Sequence, residues 1–157
     1  MYYISHRGNI DGKNPSLENK PDYVEGALKM NYFVEVDVWY DRNQWYLGHD
    51  EPTYRVDYSW MSKELLVLHC KNIEALEKLV EINNPLDNYF WHQDDDVTLT
   101  SYGWIWAYPN VEVNSSKAIA VLPEIEGTDV SGFGGICSDF IEEYRENASN
   151  QTSFVRS

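Results

Sequence analysis

The sequence predicts a single α/β domain in which a mainly parallel sheet carries helices on its outside. Three observations predict it. Short runs rich in β-branched and aromatic residues recur along the chain, about seven of them besides one hairpin return strand. Segments with apolar residues at helical spacing separate several of these runs. Polar side chains fall at the C-terminal ends of the runs, where parallel α/β enzymes place their chemistry. The 157 residues suit one domain with a substantial core, without linker or internal repeat. An ordinary eight-stranded (β/α) barrel needs about 250 residues, so any barrel here must have lost elements or carry very short loops.

Each element follows from local pattern. Tyr2 to Ser5 reads as a strand that ends in the polar His6-Arg7-Gly8. Residues 9–20 are rich in Gly, Asn, Asp and Pro and read as a loop. Pro21 at a first helical turn, then Tyr23, Val24, Ala27 and Leu28, predict a short amphipathic helix. Tyr32 to Tyr40 alternates: Phe33, Glu35, Asp37 and Trp39 share one face, and Val34, Val36 and Val38 the other. The valines should meet a helical layer and the two carboxylates the opposite side. Asp41-Arg42-Asn43 makes a turn, and Gln44 to Leu47 returns as a hairpin strand ending at Gly48-His49-Asp50. Leu65 to Cys70 is a further strand, with His69 and Lys71 at its end. Ile73, Leu76, Leu79 and Val80 have helical spacing. Tyr89 to Trp91, Trp104 to Ala107, Ile119 to Leu122 and Gly135 to Cys137 are the remaining strands, and Leu99 to Tyr102 is expected to be a short helix or turn. A final helix runs through about Arg145, and a tail over about 147–157 is expected to fray.

Composition narrows the function. The formal net charge of −14, with no cluster of Lys and Arg, argues against nucleic acid and against stable association with anionic membranes. A phosphate-handling site would need its own local positive charge. Cys70 and Cys137 have no metal-ligand or disulfide-framework spacing and read as small buried residues. The opening residues lack the regions of a signal peptide, and no apolar run approaches transmembrane length, so a cytoplasmic location is expected. Six Trp and twelve Tyr are many for this size; most are expected to fill the core and cover its edges, and Trp39, Trp91, Trp104 and Trp106 are candidate cleft walls as well as candidate core.

Glu35-Val36-Asp37 is the strongest local feature. Period-two spacing projects both carboxylates into one space, and burying them is costly unless they are paired or bound to metal. Hard oxygen ligands two apart on a strand suit Mg²⁺ or Ca²⁺; the alternative is an edge strand with solvated acids. His6 and His49, each at a strand end, are candidate proton-transfer groups. Arg7 and Lys71 are candidate phosphate ligands, or partners in ordinary surface ion pairs.

Taken in order, His6-Arg7-Gly8, Glu18-Asn19, Glu35-Val36-Asp37-Val38 and His49-Asp50 resemble the glycerophosphodiester phosphodiesterase family. Leu66 to Lys71 resembles the next family strand, and Gly135 to Asp139 the closing one. The resemblance implies a reduced TIM-type (β/α) barrel of about seven short parallel strands with a β-hairpin after the second. It implies a metal-dependent phosphodiesterase acting on a small glycerophosphodiester-like substrate, with His6 and His49 as acid–base pair and Arg7 beside the reacting phosphate. Glu35 and Asp37 would hold a divalent cation, with His69 as third ligand where the family usually has an acid. Mg²⁺ or Ca²⁺ remains the expected ion, and His69 in place of an acid admits Mn²⁺ or Zn²⁺; alternatively His69 binds nothing and the cation relies on two carboxylates, water and substrate. Lys71, Asn19, Glu18 and Trp106 would border the substrate, Glu18 chiefly by orienting Arg7. A non-catalytic relative that binds a phosphate ligand or a partner is the alternative.

Overall fold

The computed structural model describes residues 1–154, with side chains described through Asn150. Strands β1 (Tyr2–His6), β2 (Phe33–Asp41), β3 (Gln44–Leu47), β4 (Tyr54–Val56), β5 (Leu66–Cys70), β6 (Asn88–Trp91), β7 (Val97–Leu99), β8 (Ile105–Ala107), β9 (Ser115–Val121) and β10 (Phe133–Ser138) form one sheet. Helices α1 (Pro21–Lys29), α2 (Tyr58–Met61), α3 (Ile73–Ile82) and α4 (Ile141–Phe154) are the four among the described residues. No helix among them is long and apolar enough to cross a membrane.

The sheet corrects the expected TIM-type barrel. It is a mixed ten-stranded sheet of order β4-β3-β2-β1-β10-β9-β8-β7, with β5 on β2 and β6 on β5. The β2–β3, β3–β4 and β7–β8 pairs are antiparallel. Among the described residues no ladder joins β6 to β8, so the parallel strands do not close on themselves. Helices are also fewer than a barrel jacket requires. The physical reason lies between β6 and β10. Gly103, Pro109, Asn110, Pro123 and Gly127 interrupt this stretch, and no apolar period of 3.6 survives long enough for a helix. Val97-Thr98-Leu99, of good β propensity, becomes the antiparallel strand β7, and the turn expected within Leu99 to Tyr102 follows it at Ser101 and Tyr102, with Gly103 N–H donating to Thr100 O (2.8 Å).

The alternation of β2 is realised. Val34, Val36 and Val38 are buried against Val24 and Ala27 of α1 and Ala75 and Leu79 of α3. On the other face, Ile4, Val67, Phe90, Trp106, Ile119, Val121 and Cys137, from six strands, meet in one inner cluster, so the sheet curls around it. Both cysteines are buried. Tyr32, Ile136, Ile141 and Tyr144 form a further cluster where α4 packs. Helix α4 continues to Phe154, beyond the end expected near Arg145. The last part of the expected frayed tail, residues 155–157, lies outside the described residues.

Leu68, buried in the outer cluster, has no polar route to relax into. Leu68→Ala is expected to lower the unfolding free energy by ~2–5 kcal/mol. Leu99→Ala, on the exposed face of β7, should change it by less than ~0.5 kcal/mol. Urea unfolding curves with unchanged slopes check both.

Candidate active site

Strand β2 organises the site through one backbone edge. Its nine residues outrun β1, which pairs only as far as Glu35. Past that point Arg7 N–H donates to Glu35 O (2.9 Å), and two residues on Gly48 N–H donates to Asp37 O (3.1 Å). The turn after β1 and the turn after β3 therefore dock on consecutive carbonyls of the same edge. That delivers His6 and Arg7 beside Gly48 and His49.

Both turns demand unusual backbone. Arg7 and Gly8 are left-handed, with φ of 55° and 96°, and a Cβ on Gly8 would lie 2.7 Å from the Tyr23 ring. Gly48 has φ 149°, and a Cβ there would lie 2.1 Å from Glu51 O. Only glycine fits either place. The Trp39 indole N–H donates to Gly48 O (2.6 Å) and holds the second turn down.

Glu35 and Asp37 are almost wholly buried, 2% and 0% exposed. Asp37 is the more enclosed. Asn19, itself left-handed with φ 63°, donates Nδ2–H to Asp37 Oδ2 (2.8 Å) and accepts Asp37 N–H on Oδ1 (2.9 Å). Arg7 Nε lies 2.9 Å from the same Oδ2, an ion pair without hydrogen-bond alignment. His69 Nδ1 lies 3.2 Å and Lys71 Nζ 3.6 Å from Oδ1. Burial opposes the Asp37 charge, but His69, Arg7 and Lys71 outweigh it and hold the carboxyl well below the usual range. Burial likewise disfavours the His69 imidazolium, yet Asp37 and Glu35 raise its pKa to about 9. Burial opposes the Arg7 charge too, and Asp37, Glu35 and Glu18 together raise its pKa.

The two histidines expected to transfer protons each carry a carboxylate partner. His6 Nδ1 is 2.7 Å from Asp139 Oδ1, which also accepts from Asn9 Nδ2 (2.8 Å). His49 Nδ1 is 2.7 Å from Asp50 Oδ1. A carboxylate on Nδ1 fixes the tautomer with Nδ1–H and leaves Nε2 as the working nitrogen. His6 is buried and its Nε2 is 3.9 Å from Glu35 Oε2; His49 is exposed.

His6, Arg7, Glu35, His49, His69, Lys71 and Trp106 line one cavity of about 390 Å³. Trp91 and Trp106 lend it apolar wall, whereas Trp104 packs with Tyr2 and Phe33 instead. Glu18 and Asn19 stand behind the cavity. Glu18 bonds Arg7 Nη1 (3.2 Å) and Asn9 Nδ2 (3.0 Å), and the Asn19 amide is spent on Asp37. Both line a second cleft, of about 480 Å³, that shares Arg7 and His49 with the first. Four contributors were not singled out from the sequence. Asp139 had a signal, a polar residue at the end of the last strand. Asn9 sat in a loop with none. His92 and Tyr108, stacked at 3.8 Å and lining the cavity, are brought together only by the fold.

The cluster fits a divalent cation. Glu35 Oε2 and Asp37 Oδ1 are buried without an aligned hydrogen bond; His69 and Lys71 stand 3.2 and 3.6 Å from Asp37 Oδ1 and His6 3.9 Å from Glu35 Oε2, and a bound cation would add to that compensation. Ligand atoms of Glu35, Asp37 and His69 all lie within 4.8 Å of one another. His69 Nδ1 is 3.5 Å from Glu35 Oε1 and 3.2 Å from Asp37 Oδ1. Metal–ligand bonds of about 2.1 Å place neighbouring donors roughly 3.0–3.4 Å apart, so the three donors lie near enough to take up an ion with small side-chain adjustments.

Comparison of the chain with protein-family models, with curated proteins and with solved structures finds no match.

The raised His69 pKa has a thermodynamic sign. Its unfolded value near 6.5 lies below the folded value of about 9. The ion pairs therefore stabilise the metal-free fold fully below about pH 6.5, and that contribution is lost as pH rises through 9. In chelator, Tm should fall between pH 7 and 10, and His69→Gln should flatten that fall. Thermal unfolding followed by circular dichroism across this range is the check.

Proposed function

We propose that the chain is a metal-dependent phosphodiesterase that hydrolyses a small glycerophosphodiester-like substrate by histidine acid–base catalysis. One observation carries it. His6 and His49, coupled to Asp139 and Asp50, line the same cavity as Arg7, Lys71, Glu35 and His69, with Asp37 buried behind them. A binding pocket for phosphate needs the cations; it has no use for two separately oriented imidazoles. The order of His-Arg-Gly, Glu-x-Asp and His-Asp, resembling the glycerophosphodiester phosphodiesterases, supports the same chemistry.

In the first step His6 Nε2 takes the proton from a substrate hydroxyl as its oxygen attacks phosphorus. His49 Nε2 gives a proton to the alcohol oxygen as its bond to phosphorus breaks, and a cyclic phosphate forms. Water then opens the cyclic ester with the two imidazoles in reversed roles. The sum is a diester and water converted to a phosphomonoester and an alcohol. Exposure of His49 suits departure of the alcohol into solvent. Arg7 and Lys71 offset the charge that builds on the phosphoryl oxygens. Asp139 and Asp50 hold the ring orientations and stabilise each imidazolium as it forms. Glu35, Asp37 and His69 would hold the cation, which supplies Lewis-acid stabilisation of the same oxygens.

Alcohol release from a glycerophosphodiester in the presence of Mg²⁺, Ca²⁺ or Mn²⁺ tests the proposal. His6→Ala and His49→Ala should each lower kcat by about 10²–10⁴-fold, and turnover that survives both changes excludes the mechanism. Asp139→Asn should lower kcat by roughly tenfold or more through loss of the His6 tautomer. It should also displace the acidic limb of the pH–rate profile, where the base His6 gains its proton, and a merely structural role would leave that limb in place.

A further inference from the structure

The third member of the metal cluster is a nitrogen donor whose ring is fixed from three sides. His69 stacks on Phe90 with ring centroids 4.7 Å apart and planes 12° from parallel, which sets the ring plane. Its Nε2 faces the carbonyl oxygen of His92 at 3.4 Å. A carbonyl only accepts, so Nε2 carries hydrogen in the neutral ring, and Nδ1 is left with its lone pair. That Nδ1 is the atom turned toward Glu35 and Asp37. The loop bearing the carbonyl is itself anchored, because the His92 ring stacks on Tyr108 and its Nε2 donates to Asp95 O.

We infer that this centre is a mixed site of two carboxylates and one imidazole, ligated through His69 Nδ1, that takes a borderline transition ion such as Mn²⁺, Fe²⁺ or Zn²⁺ in preference to Mg²⁺ or Ca²⁺. The inference deepens the proposed cation site and rests on that part of the functional proposal alone. Imidazole is a good ligand for the former ions and a poor one for Mg²⁺ and Ca²⁺, which demand oxygen. The donor set also carries one negative charge fewer than three carboxylates would, and Lys71 and Arg7 stand beside Asp37. Hard cations held mainly by charge lose most from that combination. Glu35 Oε2 is buried without a hydrogen bond, and His69 is not the group nearest it: His6 Nε2 stands 3.9 Å away, which marks the oxygen side of the centre.

The test uses the full chain and metal ions alone. Pulsed EPR of its Mn²⁺ complex should show coupling to a directly bound imidazole nitrogen, and isothermal titration should give Mn²⁺ an affinity at least about tenfold above that for Mg²⁺. Every carboxylate site favours Mn²⁺ somewhat, so His69→Glu supplies the reference. It should abolish the nitrogen coupling and shrink the Mn²⁺ to Mg²⁺ affinity ratio by about tenfold or more, through gained Mg²⁺ binding. Absence of nitrogen coupling in the unaltered chain overturns the inference, whatever the folding of the variant. So does a ratio that His69→Glu leaves unchanged in a folded protein. Nitrogen coupling without any alcohol release from a phosphodiester would uphold the metal centre and defeat the catalytic proposal, so the two fail separately.

Discussion

Two carboxylates buried side by side on β2 set the terms for the structure around them. Leaving either charge uncompensated in the interior would cost several kcal/mol. The compensation for Asp37 comes from four residues in three parts of the chain. Arg7 reaches in from the turn after β1, Asn19 from the loop before α1, and His69 and Lys71 from the end of β5. Glu35 meets His69 from one side and has His6 at the edge of reach on the other. None of these partners is a near neighbour of the pair in the chain. The strand order that puts β1 and β5 on opposite edges of β2 is what makes the burial tolerable.

The same strand explains how the chemistry is assembled with so few residues. Because β2 is longer than β1, its exposed carbonyls accept two turns in succession, and each turn presents a histidine to one cavity. The glycines at 8 and 48 are conditions of that arrangement, since the backbone passes where a Cβ would strike the Tyr23 ring or the Glu51 carbonyl. Activation of the two histidines is divided between near and far. His49 finds its carboxylate in the adjacent residue, whereas His6 depends on Asp139, which β10 brings to it across 133 positions of chain. The Arg7-Glu18-Asn9-Asp139 chain of contacts then links the Asp37 side of the centre to the His6 side.

Much of the outer architecture was legible because it obeys period rules. Three valines at alternate positions of β2 face helices, and Pro21 opens α1 as local pattern requires. The barrel expectation went too far where local signals are weakest. Residues 92–132 hold short apolar stretches between prolines, glycines and acids, and their pairing is set by which edges the earlier strands leave open. The antiparallel pairings of β7 with β8, and of β4 with the hairpin strand β3, were not legible from local pattern. Hydropathy along one strand does not encode them.

For the candidate site, the chain by itself determined the ingredients: Glu35 and Asp37 on one face, His6-Arg7-Gly8 and Gly48-His49 at strand ends, His69 and Lys71 two apart. Those follow from side-chain periodicity and from backbone conformations that only particular residues accept. The tertiary structure alone decided the partners. It assigned Asp139 to His6 and Asn9 to Asp139, turned the Asn19 amide onto Asp37 rather than toward a ligand, and placed His92 and Tyr108 at the cavity. It also fixed which nitrogen of His69 faces the carboxylates. The reason is physical. A residue's type limits what it can donate or accept, but which group receives that bond depends on distances set by strand order.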